Sequence, residues 1–178
     1  MSDQASRRDF LKNSSTAIVA GSLAATLGAN RAVHASGSDV LKVGLIGCGG
    51  RGTGAAQNAM HAEANVELTA MADAFPDQLQ HGRDILSRQL GKQYKVDDDH
   101  CFVGFDAYQE LLATDVDVVC LCTPPHFRPM QLRAAIEAGK HVFCEKPVAV
   151  DPTGVRHVLE TVKMAKEKNL TIVSGLCW

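Results

Sequence analysis

An apolar run, Leu41-Lys42-Val43-Gly44-Leu45-Ile46, leads directly into Gly47-Cys48-Gly49-Gly50-Arg51-Gly52, and an Ala-rich stretch follows. A buried strand, a G-x-G-x-x-G loop and a helix in that order leave few possible folds. The first glycine allows a tight turn, the second lets the backbone approach a pyrophosphate, and the third lets helix pack close to strand. The helix N-terminus then offers unpaired amides and a partial positive charge to phosphates. Gly47-x-Gly49-x-x-Gly52 alone is a weak motif; the flanking strand and helix supply the context it requires. Asp73 completes the pattern, twenty-one residues after Gly52. A carboxylate there can accept hydrogen bonds from both hydroxyls of an adenosine ribose and repels a 2′-phosphate, so the expected cofactor is NAD rather than NADP.

The rest of the chain repeats the alternation. Gly52 to about Glu63 reads as a helix, and Val66 to Ala72, with Val66, Leu68, Ala70 and Ala72 in alternation, as a second strand. Pro76 suits a first helical turn, with the helix running to about Leu90. Gly91 to Asp99 is polar and reads as a loop. Cys101-Phe102-Val103 is a short strand, Tyr108 to Leu112 a short helix and Val116 to Cys122 a buried strand closed by Thr123-Pro124-Pro125. A helix from about Pro129 to Ala138 stops at Gly139, which suits a left-handed cap. His141 to Cys144 is another strand. Asp151 and Pro152 open a helix whose apolar face is expected from Val155, Val158, Leu159, Val162 and Ala165. Leu170 to Leu176 is a sixth strand. Strands alternating with helices predict an α/β fold, a doubly wound parallel sheet of the Rossmann type, in one domain over residues 36–178.

Residues 1–35 are set apart from that domain. Ser6-Arg7-Arg8-Asp9-Phe10-Leu11-Lys12 precedes a mildly apolar stretch from Ser14 to Ala29, and Val33-His34-Ala35 offers small residues before a cleavage point. The stretch is too short and too weakly apolar to span a bilayer as a stable helix. The segment resembles a twin-arginine (Tat) signal peptide. That resemblance implies export to the periplasm, or otherwise out of the cytoplasm, with the Tat translocase as a partner. Because that pathway carries folded proteins, the expected cofactor would be bound before export and held tightly.

Composition removes other function classes. A net charge of -2 and 5% aromatic residues give neither the basic footprint nor the stacking surface of a nucleic-acid binder. Six cysteines, Cys48, Cys101, Cys120, Cys122, Cys144 and Cys177, contain no C-x-x-C pair and read as small hydrophobes. Cys120 and Cys122 would share one strand face. His61, His81, His100, His141 and His157 show no metal-ligand spacing, so no metal site is expected.

From Leu41 to Trp178 the chain resembles the glucose-fructose oxidoreductase / inositol dehydrogenase (Gfo/Idh/MocA) family. The resemblance rests on the glycine loop, Thr123-Pro124-Pro125-His126, Ala138-Gly139-Lys140-His141-Val142, Glu145-Lys146-Pro147 and Gly175-Leu176-Cys177-Trp178. It implies an NAD(P)-dependent oxidoreductase moving hydride between the nicotinamide and a sugar- or polyol-like substrate. Cofactor contacts would come from Gly47, Gly49, Gly50, Arg51, Gly52, Asp73, Thr123, Pro124, His126, Glu145 and Lys146. Lys146, the catalytic residue by this resemblance, would sit beside the nicotinamide, polarising the substrate oxygen and helping to move its proton. Glu145 would contact the nicotinamide ribose. His126 would line the nicotinamide side or cap the following helix. The family often carries a second histidine where this chain has Arg128. Family members continue into a substrate domain that these 178 residues lack, so a nucleotide-binding half without turnover is expected, or else a truncated non-catalytic module. Apolar surface left where that domain belongs would favour association, such as a homo-oligomer.

Overall fold

Six parallel strands form one sheet in the order β3-β2-β1-β4-β5-β6. The structure, a computed structural model, describes residues 40–175; the twin-arginine segment and Leu176, Cys177 and Trp178 lie outside the described residues. The strands are β1 (Leu41–Ile46), β2 (Val66–Asp73), β3 (Cys101–Val103), β4 (Val118–Leu121), β5 (His141–Cys144) and β6 (Ile172–Ser174). The helices are α1 (Gly50–Ala62), α2 (Pro76–Leu90), α3 (Ala107–Leu112), α4 (Arg128–Glu137) and α5 (Pro152–Glu167). This is the doubly wound α/β arrangement that the alternation predicts. β1 pairs with both β2 and β4, so strand order reverses beside it. In open α/β sheets, that reversal opens a crevice beyond the carboxyl ends of the strands.

Side-chain alternation divides the core into two layers. Val43, Leu45, Leu68, Met71 and Cys120 pack with Ala56 and Met60 of α1 and Leu79, Leu86 and Leu90 of α2. Ile46, Ala70, Ala72, Val119 and Leu121 point the other way, against Leu111 of α3, Leu132 and Ile136 of α4 and Val158 of α5. Strands buried on both faces read as nearly continuous apolar runs, which is why β1 and β4 are so plain in the sequence. Cys48, Cys120 and Cys144 are buried as small hydrophobes, whereas Cys101 and Cys122 are half-buried; all five are free thiols. Cys120 and Cys122 pack on the same layer, as their spacing predicts.

Several boundaries differ from expectation. α1 begins at Gly50, two residues early. β4 is shorter than Val116–Cys122, although the Cys122 amide still donates to Ile46 O at 2.8 Å. The polar loop after α2 holds two short 3-10 turns, Gly91–Gln93 and Asp98–His100, the second capped by Asp97. Asp151 caps α5 as expected, its Oδ1 accepting from Gly154 N at 2.6 Å. The buried stripe of α5 needs correction, however. It is Val158, Thr161 and Ala165, while Val155 and Leu159 are 42% and 57% exposed. α5 packs beside α4 near the edge of the sheet, so only a narrow stripe meets the core. Thr161 is admitted there because its hydroxyl donates to His157 O at 2.9 Å. Among the described residues, no helix is long and apolar enough to cross a membrane.

Candidate cofactor site

The glycine loop joins β1 to α1 at the point where strand order reverses. Gly47 has φ +95°, and a Cβ there would lie 2.8 Å from the Cys122 carbonyl carbon and the Thr123 nitrogen. At Gly52 a Cβ would fall 1.8 Å from Gly47 O. These two glycines permit the turn and the close approach of α1, the roles that the motif assigns to its first and third positions. The loop is tied down by Gly47 N donating to Ala72 O at 2.9 Å. Gly49 is the N-cap of α1; no side chain caps the helix and its first turn carries no acidic residue. The first-turn amides of such a helix have no intrahelical acceptor and face outward.

Asp73 stands at the end of β2, where the spacing places it. Its Oδ2 accepts from the Cys48 amide at 2.7 Å and its Oδ1 from the Phe75 amide at 3.0 Å. The carboxylate is thereby fixed against the loop, with acceptor capacity left on both oxygens. Thr123 and Pro124 follow β4; Thr123 Oγ1 donates to Gln131 Oε1 at 2.5 Å. Gly47, Gly49, Asp73, Thr123 and Pro124 line one cleft together with three aromatic rings, Phe75 edge-to-face with Phe105 at a centroid distance of 6.3 Å and Phe105 tilted against Phe127 at 6.1 Å.

Glu145 and Lys146 follow β5. Glu145 is 1% exposed, and its Oε1 accepts from Arg51 Nε at 2.7 Å and from Arg51 Nη2. Its Oε2 accepts from the Lys146 amide at 3.2 Å. Burial pushes the Glu145 carboxyl up, but the hydrogen bonds and charge of Arg51, with the Lys146 amide and the field of Arg128, outweigh it and hold the group below the ordinary carboxylate value. Lys146 itself is exposed, and the Lys146-Pro147 peptide is cis.

The sequence thus brings Gly47, Gly49, Asp73, Thr123 and Pro124 to one cleft and Arg51 to Glu145. Gly50 lies in the first turn of α1, just beyond the cleft lining. Lys146 and His126 lie outside that lining. His126 is exposed with its ring edge-on to Phe127 at 5.3 Å; α4 has Phe127 as N-cap and no side-chain cap, so the capping role is not taken. Sequence reasoning gave Arg128 no role. It is 5% exposed, and its Nη1 donates to the Glu145 carbonyl and, at 2.5 Å, to the Pro147 carbonyl. Its helical spacing with buried Leu132 and Ala135 was the available clue. Among the described residues, no group of three metal-ligating side chains is present.

Comparisons with known proteins agree with this geometry. The profile of an oxidoreductase family with an NAD-binding Rossmann fold, Gfo/Idh/MocA, matches residues 41–175. A glycosyl hydrolase family 109 protein of Shewanella amazonensis is 29% identical over 97% of the chain and 40% of its own length. An inositol 2-dehydrogenase of Rhizobium meliloti is 31% identical over 72% of the chain and 34% of its own length. The chain therefore spans about two fifths or less of these curated relatives. Among solved structures, apo scyllo-inositol dehydrogenase from Lactobacillus casei aligns with a TM-score of 0.57 at 26% identity, covering 77% of this chain and 36% of that one. A 3-ketoreductase from Actinomadura kijaniata, solved as a mutant with TDP-benzene and NADP, aligns with a TM-score of 0.57 at 27% identity over 77% of this chain and 38% of that one. With 135 consecutive residues matched to the family profile and the glycine loop, Asp73 and E-K-P in their places, this chain belongs to the Gfo/Idh/MocA family of oxidoreductases.

Proposed function

We propose that this protein binds NAD in the crevice beside β1 and serves the oxidation or reduction of a sugar- or polyol-like substrate. The observation that carries the reading is Gly49. Nothing in the protein requires glycine there: a Cβ would meet only Gln78 Oε1, at 3.8 Å. The open space lies where the motif's second glycine leaves room for a pyrophosphate. The cradle fits the cofactor: the first-turn amides of α1 would face the phosphates, Asp73 the adenosine ribose, and Thr123 and Pro124 the opposite wall. Asp73 favours NAD over NADP because its charge would repel a 2′-phosphate. Bound NAD would supply a hydride acceptor at its nicotinamide ring. Lys146 would hold the substrate oxygen through Nζ and help move its proton, while Glu145 and Arg128 fix the backbone that carries it.

A second reading has one specific support. The glycosyl hydrolase family 109 relative aligns over 97% of the chain, against 72% for the inositol dehydrogenase. Glycoside cleavage that depends on NAD exists as a reaction class. Both readings place a carbohydrate-like hydroxyl beside Lys146. Tat delivery of the loaded protein is part of this reading, and its support is the Ser6-Arg7-Arg8-Asp9-Phe10-Leu11-Lys12 segment of the sequence.

Calorimetric titration with NAD and NADP tests the cofactor assignment. Binding of NAD in preference to NADP is expected; no heat at millimolar NAD would refute it. In a full-length relative screened across cyclitols, sugars and glycosides, changing the lysine of E-K-P to Met should abolish substrate-dependent NADH formation and preserve NAD affinity. Undiminished turnover would remove that lysine from the chemistry.

A further inference from the structure

The first turn of α4 grips both loops that would flank the cofactor. Gln131 accepts from Thr123 on the β4 side. On the β5 side, Arg128 Nη1 donates to the carbonyls of Glu145 and Pro147, the residues on either side of Lys146. One nitrogen therefore pins the chain before and after the lysine. Arg128 is 5% exposed, its Nε is buried without a partner, and among the described residues no carboxylate pairs with it. Burying a guanidinium against neutral carbonyls is costly. A brace needed only for packing could be made of apolar atoms at lower cost.

We propose that Arg128 is a positioning residue for Lys146. It fixes the backbone of the E-K-P turn so that the lysine side chain starts from a defined point beside the nicotinamide. The proposal rests on the cofactor reading above. Lys146 is exposed, so side-chain packing does little to hold it, and its aim depends on its backbone. Arg51 supplies a complementary hold from the glycine loop through the Glu145 carboxylate. Arg128 differs in that its hydrogen bonds go only to main-chain oxygens, those of Glu145 and Pro147. Lysine is a poor replacement, since one ammonium on a flexible stem lacks the rigid fork of the guanidinium.

The test compares NADH with ADP-ribose, which lacks the nicotinamide, in the wild-type chain and in R128A. A loosened turn should leave ADP-ribose affinity within about twofold and weaken NADH by about tenfold, because loss of orientation is felt only at the nicotinamide end. Amide hydrogen exchange at Lys146 should accelerate by about tenfold in R128A without change at Val119 and Cys120 of β4. Methylguanidinium added to R128A should restore both readouts. Equal loss of NADH and ADP-ribose, or faster exchange with an unaltered NADH to ADP-ribose ratio, would reduce Arg128 to a structural brace and overturn the proposal. If R128A does not fold, R128K decides by the same two readouts, and wild-type behaviour in both overturns it. A wild-type chain that binds neither nucleotide defeats the cofactor reading instead; unchanged exchange at Lys146 in the variant would then still overturn the positioning role, and faster exchange would support only the hold of Arg128 on the turn.

Discussion

Alanine at position 52 would put a methyl carbon 1.8 Å from Gly47 O and 2.9 Å from the Gly47 carbonyl carbon. Both obstacles are main chain, so no rotamer change relieves them. Real Cβ contacts essentially never fall under 3.0 Å, so α1 must withdraw from the end of β1 by about 1.2 Å. Overpacking of this kind costs about 1–3 kcal/mol, and the upper end applies because the clash is with backbone. For a domain of this size, about 3 kcal/mol lowers Tm by roughly 6–12 °C. The same withdrawal carries the first-turn amides away from the phosphates, so NAD affinity should fall by about tenfold, or 1.4 kcal/mol, within the range of helix-terminus effects on anions. The control is Gly49→Ala. Its methyl would meet no protein atom closer than 3.8 Å, so Tm should stay within about 2 °C of wild type, while NAD binding is lost at least as severely. Thermal unfolding by circular dichroism, paired with calorimetric titration of NAD, reads both variants. A Gly52→Ala protein that melts like wild type would refute the packing argument. A Gly49→Ala protein that binds NAD normally would refute the assignment of that space to the cofactor.

Asp73→Ala should weaken NAD more than NADP, shifting the preference by about tenfold, since the lost charge both bonds the ribose and repels the 2′-phosphate; parallel titrations with the two nucleotides check the order, and its reversal would sink the ribose assignment. Glu145 has a folded-state pKa held below its ordinary value, so its contribution to stability is full above the unfolded carboxyl pKa, about 4.3, and is lost as pH falls through the folded value. Glu145→Gln should therefore melt below wild type at pH 7, with the gap closing as the pH drops under about 4; a gap independent of pH in melting curves would contradict this. Asp151→Ala removes the oxygen that caps α5 through Gly154 N, which should cost about 1 kcal/mol, visible as a shifted urea midpoint with an unchanged slope.

Much of the fold was legible because burial on both faces writes itself into continuous apolar runs. The bounds of β1, α2 and β5 fall where Leu41–Ile46, Pro76–Leu90 and His141–Cys144 read them. Asp73 was legible for a different reason: its distance from the glycine loop is set by one helix and one strand, both local. The misread stripe on α5 shows where local reasoning stops. Val155 and Leu159 satisfy helical periodicity, but whether they are covered depends on α4, which lies elsewhere in the sequence. The same holds within the site. Arg51 and Glu145 are 94 residues apart, and nothing near either residue marks the other. Arg128 was hidden by the general expectation that arginine seeks solvent. Its partners are main-chain carbonyls, which every residue possesses, so no residue type could advertise them.

The placement of the thiols bears on redox chemistry. Burial pushes Cys144 up to about 11 and Cys120 up to about 12, and raises Cys48 and Cys122 further. A thiol at 11 is ionised in about one molecule in ten thousand at pH 7, against roughly one in thirty for a free cysteine. Only the thiolate attacks a disulfide, so exchange at these sulfurs slows, by a factor on the order of tens once the greater nucleophilicity of a high-pKa thiolate is allowed for, and burial restricts access further. These four sulfurs are therefore slow to pair while the domain is folded. The unfolded chain has no such protection, and a route that exported it unfolded would expose every one of these sulfurs to mispairing.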